Sequence, residues 1–228
     1  MRTNHGARIL DGEVELSFIP ARPVATGTMI DVLAASGVIF GAGPPLAVLG
    51  FAAGGVLAPI RALGYDAPVT AVDLSTRWLP LFREFASKWA GPFRFERAEA
   101  SDWLRRRRAK FGAILDDLSE RAPEAVQKPW VSVAVLPELM ARRLRPGGVV
   151  VTNLLPWPEV SWRALIDCAR KPFTTALIVR FEDYENRILI AGARLPEAAE
   201  ASRRLRSALR RIGSDQATGF SVRTLRRA

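Results

Sequence analysis

From Leu46 onward the chain alternates short apolar runs with longer amphipathic segments, and this rhythm constrains the fold more than any other feature. A strand buried on both faces needs a near-continuous apolar run, and the crossover to a parallel neighbour needs a helix with one apolar face. Strands are predicted over Leu46–Leu49, 69–72, Phe93–Arg97, 112–115 and 149–154. Helices are predicted over 56–63, from Ser75 or Thr76 to Ala90, and over 102–107, 131–144 and 158–169. In the second helix Leu79, Phe82, Phe85, Ala86 and Trp89 share one face. In the fourth, Val135, Leu139 and Leu144 are the candidate core positions. Two further strands, Thr175–Phe181 and 187–191, are joined by the turn 182–186, too short for a crossover helix, so they should be antiparallel. The expected architecture is an α/β doubly wound sheet of about seven strands with an antiparallel C-terminal hairpin. It divides into an N-terminal extension (1–45, a hairpin at 7–18 and a helix at 28–36), the α/β domain (46–195), and a basic C-terminal helix and tail (196–228).

Composition removes several kinds of chemistry. One cysteine, Cys168, excludes a disulfide framework, and one histidine, His5, makes a zinc centre or a Ser-His-Asp triad untenable. No metal is expected, and the chemistry must rest on carboxylates, hydroxyls, aromatics and backbone groups. The net charge is +10, concentrated in the cluster Arg105, Arg106, Arg107, Arg108 and Lys110 and in the tail, where nine arginines from Arg194 onward face three acids. The preferred reading of that tail is a solvated helix face; a nucleic-acid partner is the alternative. Residues 29–60 are strongly apolar but hold Asp31, six glycines and Pro44-Pro45, so they make no membrane span. With no secretory signal at the start, the expectation is a cytoplasmic protein with no membrane partner; a homodimer is compatible with this reading.

In a doubly wound sheet the ligand sits outside the carboxyl ends of the strands, where their order reverses. Four features fall at such ends. The loop Gly50-Phe51-Ala52-Ala53-Gly54-Gly55 follows the first strand, and glycines there let backbone N–H groups approach a ligand closely. Asp73 and Leu74 end the second strand, 23 residues after Gly50, close to the roughly 20-residue spacing at which an acid meets a ribose. Glu99 and Ala100 follow the third strand, where an acid can accept from an adenine amino group. Asp116 and Asp117 end the fourth, where a carboxylate can hold and deprotonate an amine. Each acid also has a plain explanation as a helix-capping or solvated loop residue, but their order and spacing point to a nucleoside-type ligand. Trp78, Trp89 and Trp103 read as core residues. Trp130 and Trp157, beside the loops after the fourth and fifth strands, read equally as pocket walls.

The whole pattern resembles the Rossmann-like class I S-adenosylmethionine-dependent methyltransferase fold. More finely, "AVLGFAAGG", "VTAVDLS", "FERAEASDWL", "FGAILDDLSE" and "LRPGGVVVTNL" resemble the spermidine synthase family of aminopropyltransferases. The resemblance implies that Gly50, Phe51, Ala52, Gly54, Gly55, Asp73, Leu74, Glu99, Ala100 and Asp116 hold S-adenosylmethionine or its decarboxylated form. The product would be S-adenosylhomocysteine or methylthioadenosine. It implies that Asp117, with Asp116 before it, activates the attacking amine, and that Glu120 and Trp157 contact a small-molecule acceptor. Ala53 stands where the family carries an aspartate, and most of the family's N-terminal β-rich domain has no counterpart. The implied activity is aminopropyl or methyl transfer to a small amine. Methyl transfer to another small molecule or RNA, and non-catalytic adenosyl binding, remain alternatives.

Overall fold

In the computed structural model, which describes residues 2–3, 5–11, 14–121 and 126–226, the apolar runs pair into one central sheet. Ahead of it lies a small sheet of β1 (Arg2–Thr3), β2 (Gly6–Asp11) and β3 (Val14–Pro20), followed by α1 (Met29–Phe40). The alternation then runs β4 (Leu46–Leu49), α2 (Leu57–Ala62), β5 (Val69–Asp73), α3 (Leu79–Ala86), β6 (Phe93–Arg97), α4 (Ala100–Arg106) and β7 (Phe111–Asp116). A short antiparallel pair, β8 (Glu120–Arg121) and β9 (Val126–Gln127), interrupts it before α5 (Trp130–Ala134), α6 (Leu136–Ala141) and β10 (Leu144–Leu154). Next come α7 (Trp162–Arg170), β11 (Thr175–Phe181), β12 (Arg187–Gly192), α8 (Ala198–Arg211), a 3-10 turn at Asp215–Ala217 and β13 (Phe220–Thr224).

The central sheet has the order β13-β11-β12-β10-β7-β4-β5-β6. β10, β7, β4, β5 and β6 are parallel, whereas β12 enters antiparallel between β10 and β11. From β4 the chain steps outward to β5 and β6, then returns to the other side for β7 and β10. The order therefore reverses between β4 and β7, and it is at the carboxyl ends of the strands beside such a reversal that doubly wound sheets bind their ligands. Alternate residues feed the two faces. Leu46 and Val48 of β4 join Leu33, Leu57 and Leu205 on one side; Ala47 and Leu49 join Trp103, Leu104, Leu136 and Leu165 on the other. Among the described residues no helix is long and apolar enough to cross a membrane.

The expected fold holds, and four details of it differ. The sheet has eight strands, because β13 pairs antiparallel with the edge of β11. Its sequence, FSVRT, alternates polar and apolar residues within a basic segment, as an edge strand does. The tail arginines help to place it: Arg206 donates to the carbonyls of Ala217, Thr218 and Phe220 and lies 4.5 Å over the Phe220 ring. Second, the helix at 131–144 is two short helices. Pro137 lacks an N–H, so the ladder breaks at Val135 and the inward face rotates. Val133, Leu136 and Met140 are buried, while Val135 is 36% exposed. Third, the helix expected from 158 starts at Trp162, where the Ser161 hydroxyl caps it by accepting from the Ala164 amide. The N-terminal helix also runs further than 28–36, to Phe40, with Thr28 as its cap.

Candidate functional site

The glycine loop leaves β4 in a left-handed turn. Gly50 has φ +81°, and a Cβ there would stand 2.7 Å from the Asp117 carbonyl group and the Leu118 nitrogen. The Asp117 amide in turn donates to the Leu49 carbonyl at 2.8 Å. The loops after β4 and β7 thus touch backbone to backbone at the point where the strand order reverses. Gly54, with φ +84°, passes against the rings of Phe51 and Phe82, and a Cβ on Gly55 would meet the Phe18 carbonyl of β3 at 2.4 Å. The N-terminal hairpin therefore packs on the far end of the loop.

Asp73 closes the loop from the neighbouring strand. Its Oδ2 accepts from the amides of Phe51 and Ala52, both at 2.8 Å, and its Oδ1 accepts from the Ser75 amide at 2.8 Å. Ala52 adopts φ +46°, the only non-glycine with positive φ among the described residues. A carboxylate offers about four acceptor positions, so three amides leave room for one more donor. Glu99 sits at the start of α4 and caps it, accepting from the Asp102 amide at 2.8 Å and the Ser101 hydroxyl at 2.6 Å. Burial works to raise its pKa, but the hydrogen bonds from Ser101 and Asp102, helped by Arg105, outweigh it and leave the group below its ordinary value.

The paired aspartates after β7 have different surroundings. Asp116 is fully buried and its Oδ1 lies 2.8 Å from the equally buried Lys128 ammonium, with the Leu118 amide and Ser132 hydroxyl further out. Its Oδ2 is buried with no hydrogen-bond partner. Burial pushes its pKa up against the opposing pull of Lys128. Asp117, at the same strand end, is only partly buried. Asn153 donates to its Oδ1 at 2.8 Å, and Asn186 donates to the Asn153 Oδ1 at 3.0 Å. Burial raises the Asp117 pKa to about 6, with the Asn153 bond and Lys128 acting in the opposite direction.

The other anticipated residues are spread more widely. The Phe51 side chain turns into the core, stacked on Phe93 at 5.0 Å and edge-on to Phe82, so only its backbone faces the loop. Leu74 is 63% exposed, and Ala100 is buried at the first position of α4. Glu120 is exposed and accepts from Gln127 within the β8–β9 pair. Trp157 is half-buried with its ring 5.3 Å from that of Trp130, itself 49% exposed. Three residues were not anticipated: Lys128, Asn153 and Asn186. Thr152-Asn153 is a polar pair at the end of an otherwise apolar run and could have marked its strand end as a polar site. Nothing local to Lys128 or Asn186 announces a partner, because both meet theirs through the fold.

No protein-family model and no curated protein sequence matches the chain. Solved structures do. A probable spermidine synthase from Corynebacterium glutamicum superposes with a TM-score of 0.72 at 17% identity, covering 97% of this chain and 83% of that one. A spermidine synthase from Thermotoga maritima gives 0.63 at 12% identity, covering 83% and 67%. Human methyltransferase-like protein 13 in complex with SAH gives 0.57 at 17% identity, covering 80% and 90%. The parallel strands β6-β5-β4-β7-β10, the inserted antiparallel β12 and the glycine turn after β4 together give this chain the Rossmann-like fold that spermidine synthases share with S-adenosylmethionine-dependent methyltransferases.

Proposed function

We propose that the protein is a spermidine synthase-like transferase that binds S-adenosylmethionine or its decarboxylated form and transfers an aminopropyl or methyl group to a small amine. The observation that carries this reading is the backbone contact of Gly50 with Asp117 at the reversal point. It sets a glycine turn suited to an adenosyl ligand beside a carboxylate with a raised pKa. The residues present fit such a ligand: Asp73 keeps one acceptor position beyond its three amides, enough for one ribose hydroxyl without moving the loop. Glu99, held ionised by the first turn of α4, can accept from a further ligand donor.

When bound, the ligand supplies an electrophilic carbon on a sulfonium centre. The chain's own residues do the rest. Asp117 holds the acceptor ammonium and takes its proton, because an amine attacks only when neutral. A pKa of about 6 leaves Asp117 ionised at neutral pH while keeping it close enough to share a proton. Asn153, anchored by Asn186, fixes the carboxylate orientation through Oδ1. Asp116 is too deep to touch an acceptor; its pair with Lys128 ties the segment leading into α5 to the end of β7.

The test is a thermal-shift series with S-adenosylmethionine, its decarboxylated form, methylthioadenosine and S-adenosylhomocysteine, followed by transfer assays with whichever donor binds. A shift with one donor and its product supports the proposal, and no shift with any of the four overturns it. One observation favours a second reading, a non-catalytic adenosyl-binding protein: Ala53 stands in the glycine loop where the spermidine synthase family carries an aspartate. Ligand binding without turnover of any amine would select it.

A further inference from the structure

A cavity of about 260 Å³ opens where the turn 182–186 joins β11 to β12, beside the carboxyl end of β10. Its walls include Trp162, Arg180, Glu185, Asn186 and Arg187. Arg180 and Arg187 are directly opposed partners in the antiparallel β11–β12 pair, so both side chains leave the same face of the sheet. Like charges in that relationship repel. Among the described residues no carboxylate pairs with either guanidinium, including Glu185 in the same wall. Arg187 is held 4.0 Å over the Trp162 ring, a stacking that fixes the plane of the fork and leaves its N–H edge for a ligand. Burial, and Arg180 opposite, lower its pKa, as expected of a cation lacking its counter-charge.

Side-chain hydrogen bonds connect the cavity wall to Asp117. Asn186 forms part of its wall and bonds Asn153, which bonds Asp117. The arginines lie on the Trp162 face of the sheet and Asn153 on the opposite face, so a ligand with an anionic group on the arginines and an amine at Asp117 would pass round the strand ends at Asn186. We propose that the cavity is an anion subsite for the acceptor, so that the substrate is an amine that also carries a carboxylate or a phosphate. The assignment rests on the reading of Asp117 as the group that receives the acceptor amine. A fork fixed on an aromatic face suits a carboxylate or phosphate, which can bind it in bidentate fashion. A plain diamine has nothing to offer the two arginines.

The test uses matched probes that differ by one anionic group: ornithine against putrescine, and phosphoethanolamine against ethanolamine. Binding is measured calorimetrically on the full chain at low salt, for the wild type, Arg180→Gln and Arg187→Gln. The expected result is that an anionic member binds at least about tenfold more tightly than its counterpart, and that the margin falls to about twofold or less in both variants. Whichever pair shows the margin identifies the anion. Equal binding within both pairs, or a margin that survives in both variants, overturns the proposal. Arg180 is exposed, so its variant is expected to fold even if Arg187→Gln loosens the Trp162 stack. The adenosyl thermal shift is recorded on the same samples. If it is absent while the anion margin stands, the proposed donor is wrong and the anion site is not.

Discussion

The Asp73 carboxylate and the Ala52 amide are hydrogen-bonded at 2.8 Å, with Ala52 in a left-handed conformation at φ +46°. The acid at the end of β5 thus holds the loop from β4 in a shape that an alanine adopts only at a cost of about 1–2 kcal/mol. Ala52→Gly should relieve that strain and raise stability by roughly 0.5–1 kcal/mol, since the side chain is exposed and loses little packing. Asp73→Ala should act oppositely, leaving three amides without their acceptor and costing about 1–3 kcal/mol. Urea unfolding of the two variants checks both signs.

Gly50→Ala should be among the most damaging single-methyl changes in the chain. The added Cβ would overlap the Asp117 carbonyl and the Leu118 nitrogen at 2.7 Å, both backbone atoms that cannot swing aside. Together with the left-handed φ, a loss above about 2 kcal/mol is expected. The contact between the two loops should open with it, so any adenosyl thermal shift should vanish.

The Asp116–Lys128 pair predicts a rescue. Lys128→Met leaves a buried carboxylate without its counter-charge and should cost about 3–5 kcal/mol at neutral pH. Because Asp116 can then escape by taking a proton, the loss should shrink as pH falls. Adding Asp116→Asn should recover much of it at neutral pH. If the double variant is as unstable as Lys128→Met alone, the ammonium matters for its packing and not for its charge.

Asp117 gives a pH dependence of determined sign. Its folded pKa, about 6, lies above the ordinary aspartate value, so the folded chain binds this proton more tightly than the unfolded chain. Its contribution to stability is therefore present at low pH and is lost as pH rises from about 4 through about 6. Asp117→Asn should raise stability at neutral pH by on the order of 1–3 kcal/mol, with the gain vanishing below about pH 4. In transfer assays the wild type should gain activity as pH rises through about 6, and Asp117→Asn should lose about a hundredfold or more with little change in donor affinity. Melting temperature against pH, for both proteins, reads the first effect without any substrate.

The strand positions were legible because each is a local property: LAVL, FRFER and TALIVRF carry their burial in their own residues. So was the placement of Gly50, Asp73, Glu99 and Asp117 at one edge, since parallel strands joined by crossovers must bring their carboxyl ends together. The sequence by itself therefore determined the doubly wound fold and the edge at which Gly50, Asp73, Glu99 and Asp117 meet. Tertiary structure alone decided what each acid does there. Asp116 and Asp117 are adjacent in sequence, but the pleat sends one into the core against Lys128 and the other to the opposite side, beside Asn153. The opposition of Arg180 and Arg187 likewise exists only in the register of β11 on β12. The eighth strand was equally hidden: FSVRT has too little apolar surface to declare itself, and it is the β11 edge together with the Arg206 bonds that gives it a place. Local patterns fix which segments are buried, whereas partners separated by many residues are chosen by packing, and in this molecule the charges at the site are settled by such partners.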